Sequence, residues 1–218
     1  MVPFPRVLGS EGNGPIGEAT NYAERGKTAF ALEVASASAL DGNQTLMVSR
    51  EMVSVALAQR LVSQQGRIRA TELRSGRADE RKVTQTIARL KAYPIYLTDR
   101  ASTVSDIVVA LDAVPQCRLL IVDYLQLIRF ASKSESQRVA LEAISGELKQ
   151  IALGRGIPVL CLSSLSRPDD DGREPGMRDL RGSGQLEHDA RGAAGDRHQL
   201  ERRDDFAKML FESDIDNN

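Results

Sequence analysis

A doubly wound α/β domain with a mainly parallel sheet is the fold class this sequence predicts. Three observations carry it. Strand-like and helix-like segments alternate from Lys27 to Leu165. Two of the strand-like runs, "LLIV" (119–122) and "IPVLCL" (157–162), are almost uniformly apolar, as in strands covered on both faces. Turn signals such as "DGN" fall between elements.

The elements follow in order. Residues 1–25 are rich in Gly and Pro, show no clean period and read as an irregular arm. From Lys27 to Leu40, Phe30, Ala31, Val34, Ala35 and Ala39 keep helical spacing. "TLMVS" (45–49) predicts a short strand. "EMVSVALAQRLVSQQ" (51–65) predicts a helix with Met52, Val55, Ala58, Leu61 and Val62 on one face. A polar stretch, 66–78, separates it from a helix over 79–92 that opens with acidic residues, favourable at the positive end of the helix dipole. "IYLTD" (95–99) reads as a strand. In the following helix (103–114), Thr103 is placed to cap and Asp106 to close a capping box. Within "RLLIVDYLQLI" (118–128) the apolar run Leu119–Val122 reads as the central strand, 135–154 as a long helix and 157–165 as another buried strand. Beyond Asp189 charge is dense and β-branched residues are few, so no further buried strand is expected there.

Composition excludes several classes. The chain of 218 residues can bury one good core, and its 41% hydrophobic and 27% charged residues are ordinary for a globular protein. The formal net charge of −1 supplies no global attraction for nucleic acid, so such binding has to come from local patches or assembly. Aromatics are 4% with no Trp, which argues against an aromatic platform for stacking bases. Cys117 and Cys161 both lie in apolar runs and read as buried thiols, and no Cys–His spacing suggests zinc. Nothing approaches 18 consecutive apolar residues, so no membrane partner is expected and the cytoplasm is the default location.

Three residues carry the chemistry. Gly26-Lys27-Thr28 opens a helix in the manner of a phosphate-binding loop. There backbone amides and the helix dipole face an anion, the lysine reaches the terminal phosphates and the hydroxyl reaches Mg²⁺. On the tripeptide alone, a surface Lys and Thr on an ordinary helix is the favoured reading. Asp123 ends the four-residue apolar run of the central strand, where magnesium-bound phosphates meet a carboxylate in such enzymes. Glu51 directly follows another strand and falls at the same sheet edge, where a carboxylate can polarise an attacking water. Each has a plain structural alternative: a strand-ending Asp and a glutamate at a helix start.

The segments "GKTAFALEVA", "SREM", "LRSG", "LLIVDYLQLI", "ISGELKQIALGRGIPVLCLSSLSR" and "MRDLRGSGQLEHDA" together resemble the motor domain of DnaB-type replicative DNA helicases. The resemblance spans roughly residues 26–190. It implies a RecA-like P-loop NTPase core over 26–190, between the arm of residues 1–25 and a divergent charged tail, 191–218. It also implies ATP and Mg²⁺ as cofactors. Gly26, Lys27 and Thr28 would hold phosphate, Thr28 and Asp123 the metal, and Glu51 would activate water. The implied partners are single-stranded DNA, further copies in a hexameric ring, and replication proteins. Loops near 129–137 and 166–178 would face DNA, with Arg129, Lys133, Arg167, Arg173 and Arg178 as the contacting cations.

The sequence departs from that pattern in three places. "NYAER" replaces the usual small, glycine-containing lead-in, with Asn21 where the opening glycine belongs. Ser164 stands where the family carries a glutamine that senses the terminal phosphate, and a serine is too short for the same reach. After Ala190 the pattern of apolar strands stops. Two functional readings therefore stand: an ATP-hydrolysing DNA helicase motor, and a degenerate or truncated relative that keeps the fold and serves as a binding or remnant protein. A RecA-fold recombination or clock-type ATPase fits "VDYLQL" less well.

Overall fold

The computed structural model describes residues 6–7, 26–130 and 137–162. Its described elements are β1 (Arg6–Val7), α1 (Lys27–Leu40), β2 (Gln44–Ser49), α2 (Ser54–Gly66), α3 (Ala70–Arg74) and α4 (Glu80–Leu90), followed by β3 (Ile95–Thr98), α5 (Val104–Asp112), β4 (Cys117–Asp123), α6 (Gln137–Arg155) and β5 (Val159–Cys161). The strands form one sheet in the order β1-β3-β2-β4-β5, and every described pairing is parallel. The expected α/β alternation is therefore present, with helices on both faces.

The two-residue period of the central strands divides the core. Leu46, Val48, Leu120 and Val122 pack on one face with Val104, Ile107 and Leu111 of α5 and Leu141, Ile144 and Leu148 of α6. Met47, Leu119 and Ile121 pack on the other, with Ala31, Leu32 and Ala35 of α1, Leu57 and Leu61 of α2 and Leu90 of α4. Leu46, Met47, Leu120 and Ile121 are fully buried. Each such side chain contributes roughly 1.5–3 kcal/mol by leaving water. Because β2 and β4 have both faces covered, they set the position of everything at their ends.

The boundaries differ from the sequence reading where backbone hydrogen bonds decide them. α2 starts at Ser54, not Glu51, because Val53 is extended and the Ser54 amide is satisfied by Asp99 Oδ2 at 2.8 Å. Its buried face is Leu57, Leu61 and Val62, and Val55 is exposed. The polar stretch contains the short helix α3. β4 ends at Asp123, where the sequence places the end of the central strand, and Leu125–Leu127 follow as a 3-10 turn. In the arm, Arg6–Val7 pair with β3. Cys117 is buried as expected. Cys161 ends β5, where burial pushes its thiol up to about 12. The tail after Ala190 lies outside the described residues.

Close approach and capping hold the helices in place. A Cβ on Gly66 would come within 2.7 Å of Thr86 Oγ1 and 2.8 Å of Ile68 Cδ1, so a glycine is what lets α4 cross the end of α2. At α5, Thr103 Oγ1 accepts from the Asp106 amide at 3.2 Å, and Asp106 Oδ2 accepts from the Thr103 amide at 2.9 Å. The expected capping box is formed. Hydrogen bonds from the Ser102 and Thr103 backbone, then from their hydroxyls, hold the Asp106 carboxyl below its ordinary range. Thr103→Ala is expected to lower stability by about 1 kcal/mol, the usual worth of a cap, in urea unfolding with an unchanged slope.

Candidate nucleotide site

The parallel register of β2 and β4 sets Ser49 directly beside Asp123 at the carboxyl ends of both strands. In an open α/β sheet that edge is where ligands are met. α1 begins at the same edge, with Gly26 as its N-cap and Lys27 and Thr28 as its first residues. Thr28 Oγ1 donates to Asp123 Oδ2 at 3.0 Å, across 95 residues of chain. Ser49 Oγ reaches the same oxygen at 3.4 Å and accepts from the Met52 amide at 3.1 Å. The Lys27 ammonium lies over the Tyr124 ring, 5.3 Å from its centre, within the range of a cation–π contact.

Asp123 is fully buried, and its Oδ1 has no hydrogen-bond partner among the described residues. An unmet buried carboxylate oxygen is expensive, which marks it as a position prepared for a ligand. Burial pushes the Asp123 carboxyl above its ordinary range. The Thr28 and Ser49 hydroxyls oppose that shift, as do the charges of Lys27 and Arg60.

Glu51 lies two residues past Ser49, exposed, in a bend. Two anchors hold that bend. The Arg50 amide donates to the Asp123 carbonyl at 2.8 Å, and the Arg50 guanidinium donates to the Asp99 carbonyl. The sheet thus brings Glu51 to the edge that holds Lys27, Thr28 and Asp123. Arg129 is exposed, and its amide donates to the Ser102 carbonyl at 2.7 Å on the α5 side. Ser164, Lys133, Arg167, Arg173 and Arg178 lie outside the described residues.

The residues fit a magnesium–phosphate site. Among the described residues no cluster of three or more Cys, His, Asp or Glu side chains could hold a metal alone. Mg²⁺ bound with a nucleotide does not need one. It takes one or two protein oxygens and completes its shell with phosphates and water. Thr28 Oγ1 and the Asp123 carboxylate are such hard oxygens.

Comparison with known proteins identifies the family. Residues 20–194 match the family described as DnaB-like helicase C terminal domain. The chain belongs to that family. It is 36% identical over 176 residues to the replicative DNA helicase DnaB of Geobacillus stearothermophilus, covering 76% of this chain and 39% of that protein. To the replicative DNA helicase DnaC of Bacillus subtilis (strain 168) it is 35% identical over 176 residues, with 76% and 39% covered. The chain thus spans about two fifths of the length of these relatives. Among solved structures it resembles a DnaB-like replicative helicase studied with primase, with a TM-score of 0.71 and 32% identity over 77% of this chain and 44% of that one. A second solved structure, of an ATPase domain, gives the same TM-score and identity, with 63% of that chain covered. The RecA-like fold of the family is the fold of this chain.

Sequence reasoning missed Ser49, Arg50, Arg60 and Tyr124. Tyr124 adjoins Asp123, but only the turn after β4 brings its ring under Lys27. Ser49 is legible once β2 and β4 are taken as parallel neighbours in register. The missing signal was strand order, which no local pattern carries.

The raised pKa of Asp123 gives a stability prediction with a definite sign. The folded value lies above the ordinary 3.8, so the contribution of Asp123 to stability is fully present below that pH and is lost as pH rises through the folded value. Asp123→Asn keeps an acceptor for Thr28 and removes the buried charge. Its thermal midpoint is expected to exceed that of the parent at pH 7, and the difference should vanish near pH 3.

Proposed function

We propose that this chain is an ATP-hydrolysing motor domain of a replicative DNA helicase, acting on single-stranded DNA as part of a ring of identical subunits. The observation that carries the reading is the contact of Thr28 with Asp123, beside Lys27, at the carboxyl edge of a parallel sheet. ATP is the nucleotide and Mg²⁺ the metal in this reading. The names of the relatives support the substrate class: the proteins they belong to are replicative DNA helicases.

The chain's own residues divide the work. The amides at the start of α1 receive the phosphates. Lys27 leaves the Tyr124 ring to meet the terminal phosphates, trading one electrostatic partner for a stronger one. Thr28 and Asp123 would hold the metal, which would supply positive charge to the phosphate oxygens. Glu51 orients the attacking water and takes its proton. Little covalent work is asked of the protein, so positioning and charge supply the rate. An arginine from a neighbouring subunit is worth about 10³–10⁵ in such reactions, so a lone subunit hydrolyses slowly. Ser164 stands at the sensor position, and Arg129, Lys133, Arg167, Arg173 and Arg178 are the proposed DNA contacts.

Two measurements check this reading. Binding of a fluorescent ADP analogue with Mg²⁺ is expected to be saturable in the parent and at least about tenfold weaker in Lys27→Ala. ATP hydrolysis should rise on adding single-stranded DNA and be abolished in Glu51→Gln, with nucleotide binding kept. Equal, negligible nucleotide binding by parent and Lys27→Ala would instead identify a chain that retains the fold without the activity. That second reading is favoured by Asn21 in place of the loop-opening glycine.

Tyr124 offers a separate check. Tyr124→Phe keeps the ring face under Lys27 and should leave nucleotide affinity within about twofold. Tyr124→Leu removes the cation–π contact, worth about 0.5–1 kcal/mol at such sites, and should shift the affinity by a few-fold.

A further inference from the structure

We propose that Asp99, directly after β3, is a positioning residue for the hydrolytic step: it closes a clamp on the bend between β2 and α2 and so fixes where Glu51 stands. The proposal rests on the reading of Glu51 as the group that orients the attacking water.

The bend needs support from outside itself. Glu51 follows β2 and precedes α2, so neither a strand ladder nor a helical repeat holds its backbone. It is also exposed, so packing adds little. Alternate amides of the segment are met by groups of three different strands or strand ends. The Arg50 amide donates to the Asp123 carbonyl of β4 at 2.8 Å. The Met52 amide donates to Ser49 Oγ of β2 at 3.1 Å. The Ser54 amide donates to Asp99 Oδ2 at 2.8 Å, and the Arg50 guanidinium donates to the Asp99 carbonyl. Asp99 therefore holds both ends of the bend, one with its main chain and the other with its carboxylate, and Glu51 lies between them.

A plain helix cap does not account for this arrangement. The N-cap of α2 is Val53, whose side chain has no acceptor to offer. A serine, threonine or aspartate at that position would satisfy the orphan amide locally. The chain instead meets it with a carboxylate 45 residues further on, from a neighbouring strand. A local cap would hold the helix. Only a distant one also ties the bend to the sheet.

Arg50 points the same way. It is half-buried, and its Nε is buried with no hydrogen-bond partner among the described residues. A long cation folded inward onto a carbonyl loses rotamer freedom and hydration. A polar residue facing water would be cheaper there, and the hold on Asp99 is what the cost obtains. The other side of the clamp is firm. Thr98 pairs with Val48 in register, and Thr98 Oγ1 accepts from the Arg100 amide at 3.3 Å. Ser49 pairs with Asp123 on the opposite side of β2. The bend is thus braced from β3 and β4 together, on either side of the strand that leads into it.

The kinetic consequence is specific. A general base has to stand within hydrogen-bond reach of its water, and a misplacement of about 1 Å can cost on the order of 10² in rate. Lys27, Thr28 and Asp123, which receive the nucleotide in this reading, are not held by Asp99. Loss of the clamp should therefore lower kcat and leave KM alone.

The test uses the full chain and three variants. Asp99→Ala removes the acceptor for Ser54. Arg50→Met removes the guanidinium and keeps the stem and the main-chain bond to Asp123. Asp99→Asn keeps an acceptor for Ser54. ATP hydrolysis is measured with a single-stranded oligonucleotide present, alongside affinity for the Mg²⁺–ADP analogue and amide hydrogen exchange over residues 50–54. Asp99→Ala and Arg50→Met should each lose about tenfold or more in kcat, with KM and analogue affinity within about twofold of the parent. Exchange over 50–54 should quicken in both, while β2 and β4 stay protected. Asp99→Asn should recover kcat to within about threefold of the parent. If Asp99→Ala does not fold, Arg50→Met decides by the same readings. A folded variant with quickened exchange and unchanged kcat overturns the proposal and leaves Asp99 a helix cap. So does a loss of kcat and analogue affinity together, which marks general damage to the site. In either case a parent that hydrolyses ATP and a Glu51→Gln variant that does not keep the ATPase reading intact. A parent without hydrolysis, or a Glu51→Gln variant as active as the parent, overturns that reading and this proposal with it.

Discussion

A carboxylate buried at the end of a strand is a costly object, and the arrangement around Asp123 exists to hold one. Water is excluded from it by the walls of a doubly covered sheet. Two hydroxyls, one from α1 and one from β2, satisfy Oδ2, while Oδ1 meets no donor among the described residues. Stability alone would favour an amide or an apolar residue here. The charge is useful only if something positive arrives to meet it. A metal-bound phosphate, as proposed above, would be such a partner.

The same contact orders the surrounding structure. Thr28 is the second residue of α1, so its hydrogen bond to β4 fixes where that helix begins and therefore where its amides point. Ser49 ties β2 to the same oxygen, and the Arg50 amide ties the following bend to the Asp123 carbonyl. Glu51 inherits its place from those bonds. Three elements that are remote in sequence thus share one anchoring residue, and displacement of β4 would move every group of the site.

Charge is distributed in this chain with the same division of labour. One edge of the sheet concentrates a buried acid, Asp123, and a lysine over the ring of the adjoining Tyr124. Residues 67–91 concentrate arginines in a segment where Asp79 caps α4 and Glu72 pairs with Arg69. A net charge of −1 conceals this separation, because the excess of acid elsewhere cancels the basic segment. A total is a poor guide to fields that decay within about 10 Å at ordinary salt.

Much of the architecture was legible without coordinates. The uniform apolar run before Asp123, the capping pair Thr103 and Asp106 and the alternation of elements are local patterns, and local patterns follow from backbone geometry and the need to bury apolar faces. The pairing of Lys27 and Thr28 with Asp123 was anticipated because both fall at ends of elements in a parallel fold. The start of α2 was misjudged because Asp99, 45 residues away, satisfies the Ser54 amide. The sequence by itself determined the fold class and the residue types of the site. Only the tertiary structure decided that Ser49 adjoins Asp123, that Tyr124 lies under Lys27 and that Asp99 meets both Arg50 and Ser54. Those are facts of strand order and helix placement, set by contacts between distant segments, and no window along a chain contains them.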